Sequence, residues 1–153
     1  MAWTTKEKEL IAVGISVAAG CKPCTDHHVR AVREAGATDA EIQQAMADAI
    51  AVRKSATSVM EGYVRRHFGH GGDVADETVD TARTPTRVLL AVGAAFAVNC
   101  TTSLGEHLET ARHMGITGGE VRVVAKLATF IKGKGDEHVR AMVAHKREKA
   151  HAN

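Results

Sequence analysis

Apolar residues recur at helical spacing along most of the chain. Leu10, Ile11, Val13, Gly14 and Val17 share one face of a helix. Thr4-Thr5-Lys6-Glu7 opens that helix with a capping-box pattern, and Gly20 closes it. Pro23 suits the first position of a second helix, where its missing N–H costs nothing. Val29 and Val32 continue that helix, and Gly36 stops it. Thr38-Asp39-Ala40-Glu41 is a second capping box, ahead of Ile42, Ala45, Met46, Ala49, Ile50 and Val52. A further helix, or a continuation of this one, covers Thr57 to His67. Gly69 to Thr84 is glycine-rich and acidic and reads as a connector. Thr84-Pro85 then supplies an N-cap and a first-turn proline. Asp136 to about Lys149 reads as a terminal amphipathic helix, with Val139, Met142 and Val143 on one side. No segment has convincing strand character, so the predicted fold class is all-α.

The pattern occurs twice. Leu10-Ile11-Ala12-Val13-Gly14 returns as Leu89-Leu90-Ala91-Val92-Gly93, an offset of 79. In that register Cys21 falls on Cys100, Cys24 on Ser103, His28 on His107, and Gly36 on Gly115. No gap is needed. The expectation is one domain made of two helical units, about 5–68 and about 84–150, forming a pseudo-repeat bundle with a pseudo-twofold axis. The chemically equipped residues lie in the first unit. In the second, Ser103 replaces a cysteine and Val88 stands where the first has Glu9, so that unit reads as scaffold.

Composition narrows the function. The chain has 153 residues, enough for one domain with a proper core, and 44% are hydrophobic. Aromatics are only 3%, which suits closely packed helices of small side chains. A net charge of +2, with basic residues scattered among acids, gives no argument for nucleic acid or an anionic membrane. There is no basic start followed by an apolar run and no apolar run of membrane-spanning length. Three cysteines is too few, and odd, for a secreted disulfide scaffold. The expected setting is the cytoplasm, with the thiols normally reduced.

The chemistry concentrates in Cys21-Lys22-Pro23-Cys24 and His28. Residues at this spacing share a helix face. A first-turn Cys24 gains from the unpaired N–H groups and the helix dipole, which stabilise a thiolate. His28, one turn on, can take or return a proton near neutral pH. Cys21 is within reach to close a disulfide with Cys24. The other reading is zinc, with Cys21, Cys24, His27 and His28 as donors, but one short helix is poor geometry for a tetrahedron. His27 points about 100° from His28 and is expected to be exposed or at an interface. Cys100 is expected to be a buried, unpaired core residue.

These residues resemble a family. Glu9, then Cys21-Lys22-Pro23-Cys24-Thr25-Asp26-His27-His28, then Glu34-Ala35-Gly36-Ala37-Thr38 and Glu41-Ile42, resemble the alkylhydroperoxidase D family of the carboxymuconolactone decarboxylase superfamily. The resemblance covers about 5–55 strongly and about 84–132 as a degenerate unit. It implies an all-helical, oligomeric antioxidant enzyme, a thiol peroxidase with no bound cofactor. It also implies roles: Cys24 attacks the peroxide, Cys21 resolves the product to a disulfide, and Glu9 and His28 form a proton relay, within hydrogen-bond reach and with Glu9 largely buried. The implied partners are a peroxide and a dithiol or lipoyl-type electron donor. Single-unit members tend to be hexamers, so a fused pair implies a homotrimer, with a dimer as the fallback and the cysteines near a subunit interface. The best-known peroxidases have a histidine directly before the second cysteine, where this chain has Pro23; in the two-unit members the active motif lies in the second unit. The decarboxylase branch, acting on a small organic acid, generally lacks the cysteine pair. A non-enzymatic helical oligomer is the third reading.

Overall fold

The computed structural model describes residues 3–70 and 83–151. Most of the expected connector, including 71–82, lies outside the described residues. Among the described residues six helices follow in order: α1 (Thr5–Ala19), α2 (Lys22–Glu34), α3 (Asp39–Arg66), α4 (Pro85–Ala97), α5 (Thr101–His113) and α6 (Gly118–His151). Among the described residues there is no strand, so the fold is all-α. None of these helices is long and apolar enough to cross a membrane.

The helix starts follow from the capping residues. Thr4 and Thr38 each accept a hydrogen bond from the backbone N–H three residues on, and the Glu7 and Glu41 carboxylates accept one from the threonine N–H. Thr117 and Glu120 exchange the same pair of bonds at the start of α6. These contacts hold the Glu7 and Glu120 carboxyls below the usual glutamate range, chiefly through the Thr4 and Thr117 backbone N–H groups.

α1 and α4 form the centre, and each packs on helices from both halves of the chain. Both are apolar nearly all round, as a fully enclosed helix must be: Ile11 to Ser16 and Val88 to Ala95 are unbroken buried runs. Their close approach requires glycine at two positions. A Cβ on Gly14 would lie 2.3 Å from the Leu90 side chain, and one on Gly93 would lie 2.6 Å from Ile15. Leu90 thus fills the hollow at Gly14 while Ile15 fills the hollow at Gly93.

Some helix starts and turns recur at matched positions of the two halves. α2 and α5 begin at Lys22 and Thr101, and α3 and α6 at Asp39 and Gly118, the same offset of 79. Gly20 (φ 71°) and Asn99 (φ 57°) both take the left-handed turn before the cysteine, and asparagine tolerates that region better than most residues. Arg53 Nη1 donates to the Val17 and Ala18 carbonyls at the end of α1; Lys132 Nζ donates to the Phe96 carbonyl at the end of α4.

At 57–66 the second of the two readings holds, a continuation of α3. Two expectations change. The terminal helix expected from Asp136 is the second half of α6, which runs unbroken through Gly133 and Gly135. Its apolar side is bare: Val139, Met142 and Val143 are 63%, 64% and 58% exposed. Met46, expected on the buried face of α3, is exposed.

Candidate active site

The site begins where α1 ends. Gly20 in its left-handed turn donates to Val17, and the Cys21 N–H bonds the Ser16 carbonyl, which reverses the chain at Cys21. Arg53 neutralises the carbonyl end of α1 beside this turn. α2 starts at once. Cys21 is itself the N-cap, and its Sγ accepts the Cys24 N–H at 3.3 Å. The helix therefore begins one residue earlier than expected, and Pro23 occupies its second position rather than its first. Cys24 stays in the first turn. The dipole argument made for Cys24 applies to Cys21 too, because both sulfurs lie among the unpaired N–H groups of α2.

Cys21 and Cys24 are joined as a disulfide, with Cα atoms 5.3 Å apart. Both are buried. One helical turn further, His28 Nδ1 lies 2.8 Å from Glu9 Oε2 across the α1–α2 contact. The side chains are 13% and 24% exposed, so the pair is sheltered but reachable. An ionised carboxylate only accepts, so Nδ1 carries a proton in this contact. His27, next to it, is exposed as expected, with its ring edge-on to that of His28.

The second half holds a different constellation at the matched positions. Cys100 is buried, free of any disulfide, and caps α5. Its thiol donates to the Ser103 hydroxyl at 3.2 Å. Val88, wholly buried, fills the place of Glu9. His107 Nδ1 faces Arg83 at 3.2 Å. A guanidinium only donates, so this nitrogen accepts and the ring is neutral. Burial, and then the Arg83 charge, push His107 down to about 4.

One residue of the site escaped the sequence reading. His138, on α6, brings a ring nitrogen into a group with the Cys21 and Cys24 sulfurs, all three atoms within 4.8 Å of one another. Gly135, one turn before it, faces Cys21 so closely that a Cβ there would touch the Cys21 Cβ at 3.6 Å. Three such donors have the character of a soft-metal set, but the disulfide engages both sulfurs in this form. His27 and His28, the donors considered from sequence, are not in that group. The one signal in the chain was helical spacing from Gly135 to His138, and only tertiary packing lays that face on the cysteines.

No curated protein and no solved structure matches the chain significantly. The segment that holds Glu9, Cys21, Cys24 and His28 does match a family model. Residues 2–59, which hold α1, α2 and most of α3, match that of the carboxymuconolactone decarboxylase family, consistent with the superfamily that the sequence resemblance named.

Proposed function

We propose that the protein is an alkylhydroperoxidase-like thiol peroxidase that cycles Cys21 and Cys24 between dithiol and disulfide. The observation that carries this reading is the buried Cys21–Cys24 disulfide one turn from the Glu9–His28 pair. In the cycle the Cys24 thiolate attacks one peroxide oxygen. The O–O bond breaks, and the departing alkoxide takes a proton through His28 and leaves as an alcohol. Cys24 is then a sulfenic acid. The Cys21 thiolate displaces water from it and closes the disulfide. A dithiol donor of lipoyl type returns two electrons and two protons by thiol–disulfide exchange. Glu9 holds the His28 ring in one tautomer and supports its positive form.

The family's name makes decarboxylation of a small organic acid the second reading. The dithiol favours the peroxidase, because decarboxylation has no use for two sulfurs at bonding distance. The experiment is hydroperoxide consumption with a dithiol donor. Wild-type protein is expected to turn over and Cys24→Ser is not. Equal rates in the two would contradict the reading.

The same reading treats the second half as a duplicated scaffold related to the first by a pseudo-twofold axis. The matched helix starts and turns support that. It puts the chain in a reducing, cytosolic setting and assembles it as a homotrimer, with a dimer as fallback. The bare side of α6 supports assembly, since a face carrying Val139, Met142 and Val143 gains by being covered.

A further inference from the structure

The dithiol is served by a helix that the family segment does not contain. α6 crosses Cys21 at Gly135, and His138 follows one turn later on the same face. Its ring is exposed, and among the described residues no hydrogen bond or ion pair engages it. Glu9 fixes the Nδ1 of His28, which leaves only that ring's other nitrogen. The two sulfurs therefore have a second imidazole beside them, from the other half of the chain, whose nitrogen is within 4.8 Å of each.

We propose that His138 is a further functional residue of the dithiol site, a cation that stabilises the thiolate and returns the proton to the departing sulfur. This deepens the peroxidase reading and rests on it. In the reductive half of the cycle a donor thiolate attacks one sulfur of the disulfide. A mixed disulfide forms, the Cys21–Cys24 bond breaks, and the released sulfur keeps the electron pair. The His138 imidazolium lies where that charge develops. It donates its proton, and the neutral ring takes one back from the next thiol or from water. The same cation lowers the pKa of the reduced thiol.

Other charges surround the site. Glu9 of α1 pairs with His28 of α2. Arg53 of α3 is bound to carbonyls at the end of α1. Lys134 and Glu137 of α6 pair with one another. Lys22, Asp26 and His27 are on α2, and Lys22 and His27 are exposed. None of these is altered by a change at position 138.

The test is the pH profile of iodoacetamide alkylation of the reduced protein, with the labelled cysteine identified by mass spectrometry. Cys24 is expected to label first near neutral pH. His138→Gln is expected to raise the midpoint of that profile by about one unit and to slow alkylation at pH 7 several-fold. His138→Lys, which keeps a positive charge, is expected to hold the midpoint low. Circular dichroism of both variants checks that the helices stay intact. A midpoint unchanged in the glutamine variant overturns the proposal. So does a lysine variant that behaves like glutamine, since the role would then be packing. One zinc per chain held by the reduced protein and lost in the glutamine variant also overturns it, because His138 would then be a ligand. No peroxide enters this measurement, so failure of the peroxidase reading shows separately as absent hydroperoxide consumption.

Discussion

His28 and His107, at matched positions in the two halves, present the same ring nitrogen to opposite partners. Glu9 accepts from Nδ1 of His28 at 2.8 Å, whereas Arg83 donates to Nδ1 of His107 at 3.2 Å. An acid beside an imidazole supports its positive form; a guanidinium opposes it. The matched positions thus hold one histidine that meets an acid and one kept neutral by burial and Arg83.

The Glu9 contact gives the first prediction. Glu9→Gln keeps the shape and removes the charge. Hydroperoxide turnover is expected to fall about 100-fold, in the range of a lost general acid–base group. The midpoint of thermal unfolding is expected to stay within a few degrees. A rate within about twofold of wild type would remove Glu9 from the mechanism.

His107 predicts a pH dependence of stability. In the unfolded chain this ring takes a proton near the ordinary 6.5, in the folded chain only near about 4. Between those values the unfolded state binds more protons, so stability falls as the pH drops through that window. The loss is on the order of 1–3 kcal/mol. Urea unfolding of wild type and His107→Gln at several pH values measures it. The variant's curve is expected to be flatter from pH 6.5 to 4, and parallel curves would contradict the assignment.

Packing at the α1–α4 contact predicts unequal costs for one chemical change. Gly14→Ala forces a Cβ into Leu90 and is expected to destabilise by about 1–3 kcal/mol. Gly133→Ala, with nothing within 4 Å of its Cβ, is expected to be neutral or to stabilise by about 0.5–1 kcal/mol. Equal effects in chemical denaturation would mean that the α1–α4 contact is looser than described.

Assembly is tested at α6. Light scattering at micromolar concentration is expected to give the mass of three chains. Met142→Glu, on the bare side of the helix, is expected to lower it. A wild-type monomer would contradict the assembly.

Much of this was legible in the chain, for local reasons. Thr4, Thr38 and Thr84 announced their helices because a capping side chain acts within three residues. The spacing of Cys21, Cys24 and His28 placed them together because the start of one helix carries all three, and the family resemblance added Glu9. What stayed hidden depends on distant packing. Cys21 displaced Pro23 from the first helical position by capping α2 with its own sulfur. α6 runs unbroken through Gly133 and Gly135, so its terminal half did not begin at Asp136, and at Gly135 it lies against Cys21. Met46 and Met142 fit an apolar helical stripe, but among the described residues both are exposed. His138 is distant in sequence from the cysteines it approaches.

The central claim is that Cys21 and Cys24 are a working redox pair while Cys100 is a bystander. Thiol titration of the reduced, denatured protein before and after one equivalent of hydroperoxide tests it most directly. The three cysteines are expected to give three thiols before and one after, with Cys100 the survivor by mass spectrometry. Three thiols remaining after peroxide, or loss at Cys100 instead of the pair, would contradict the account.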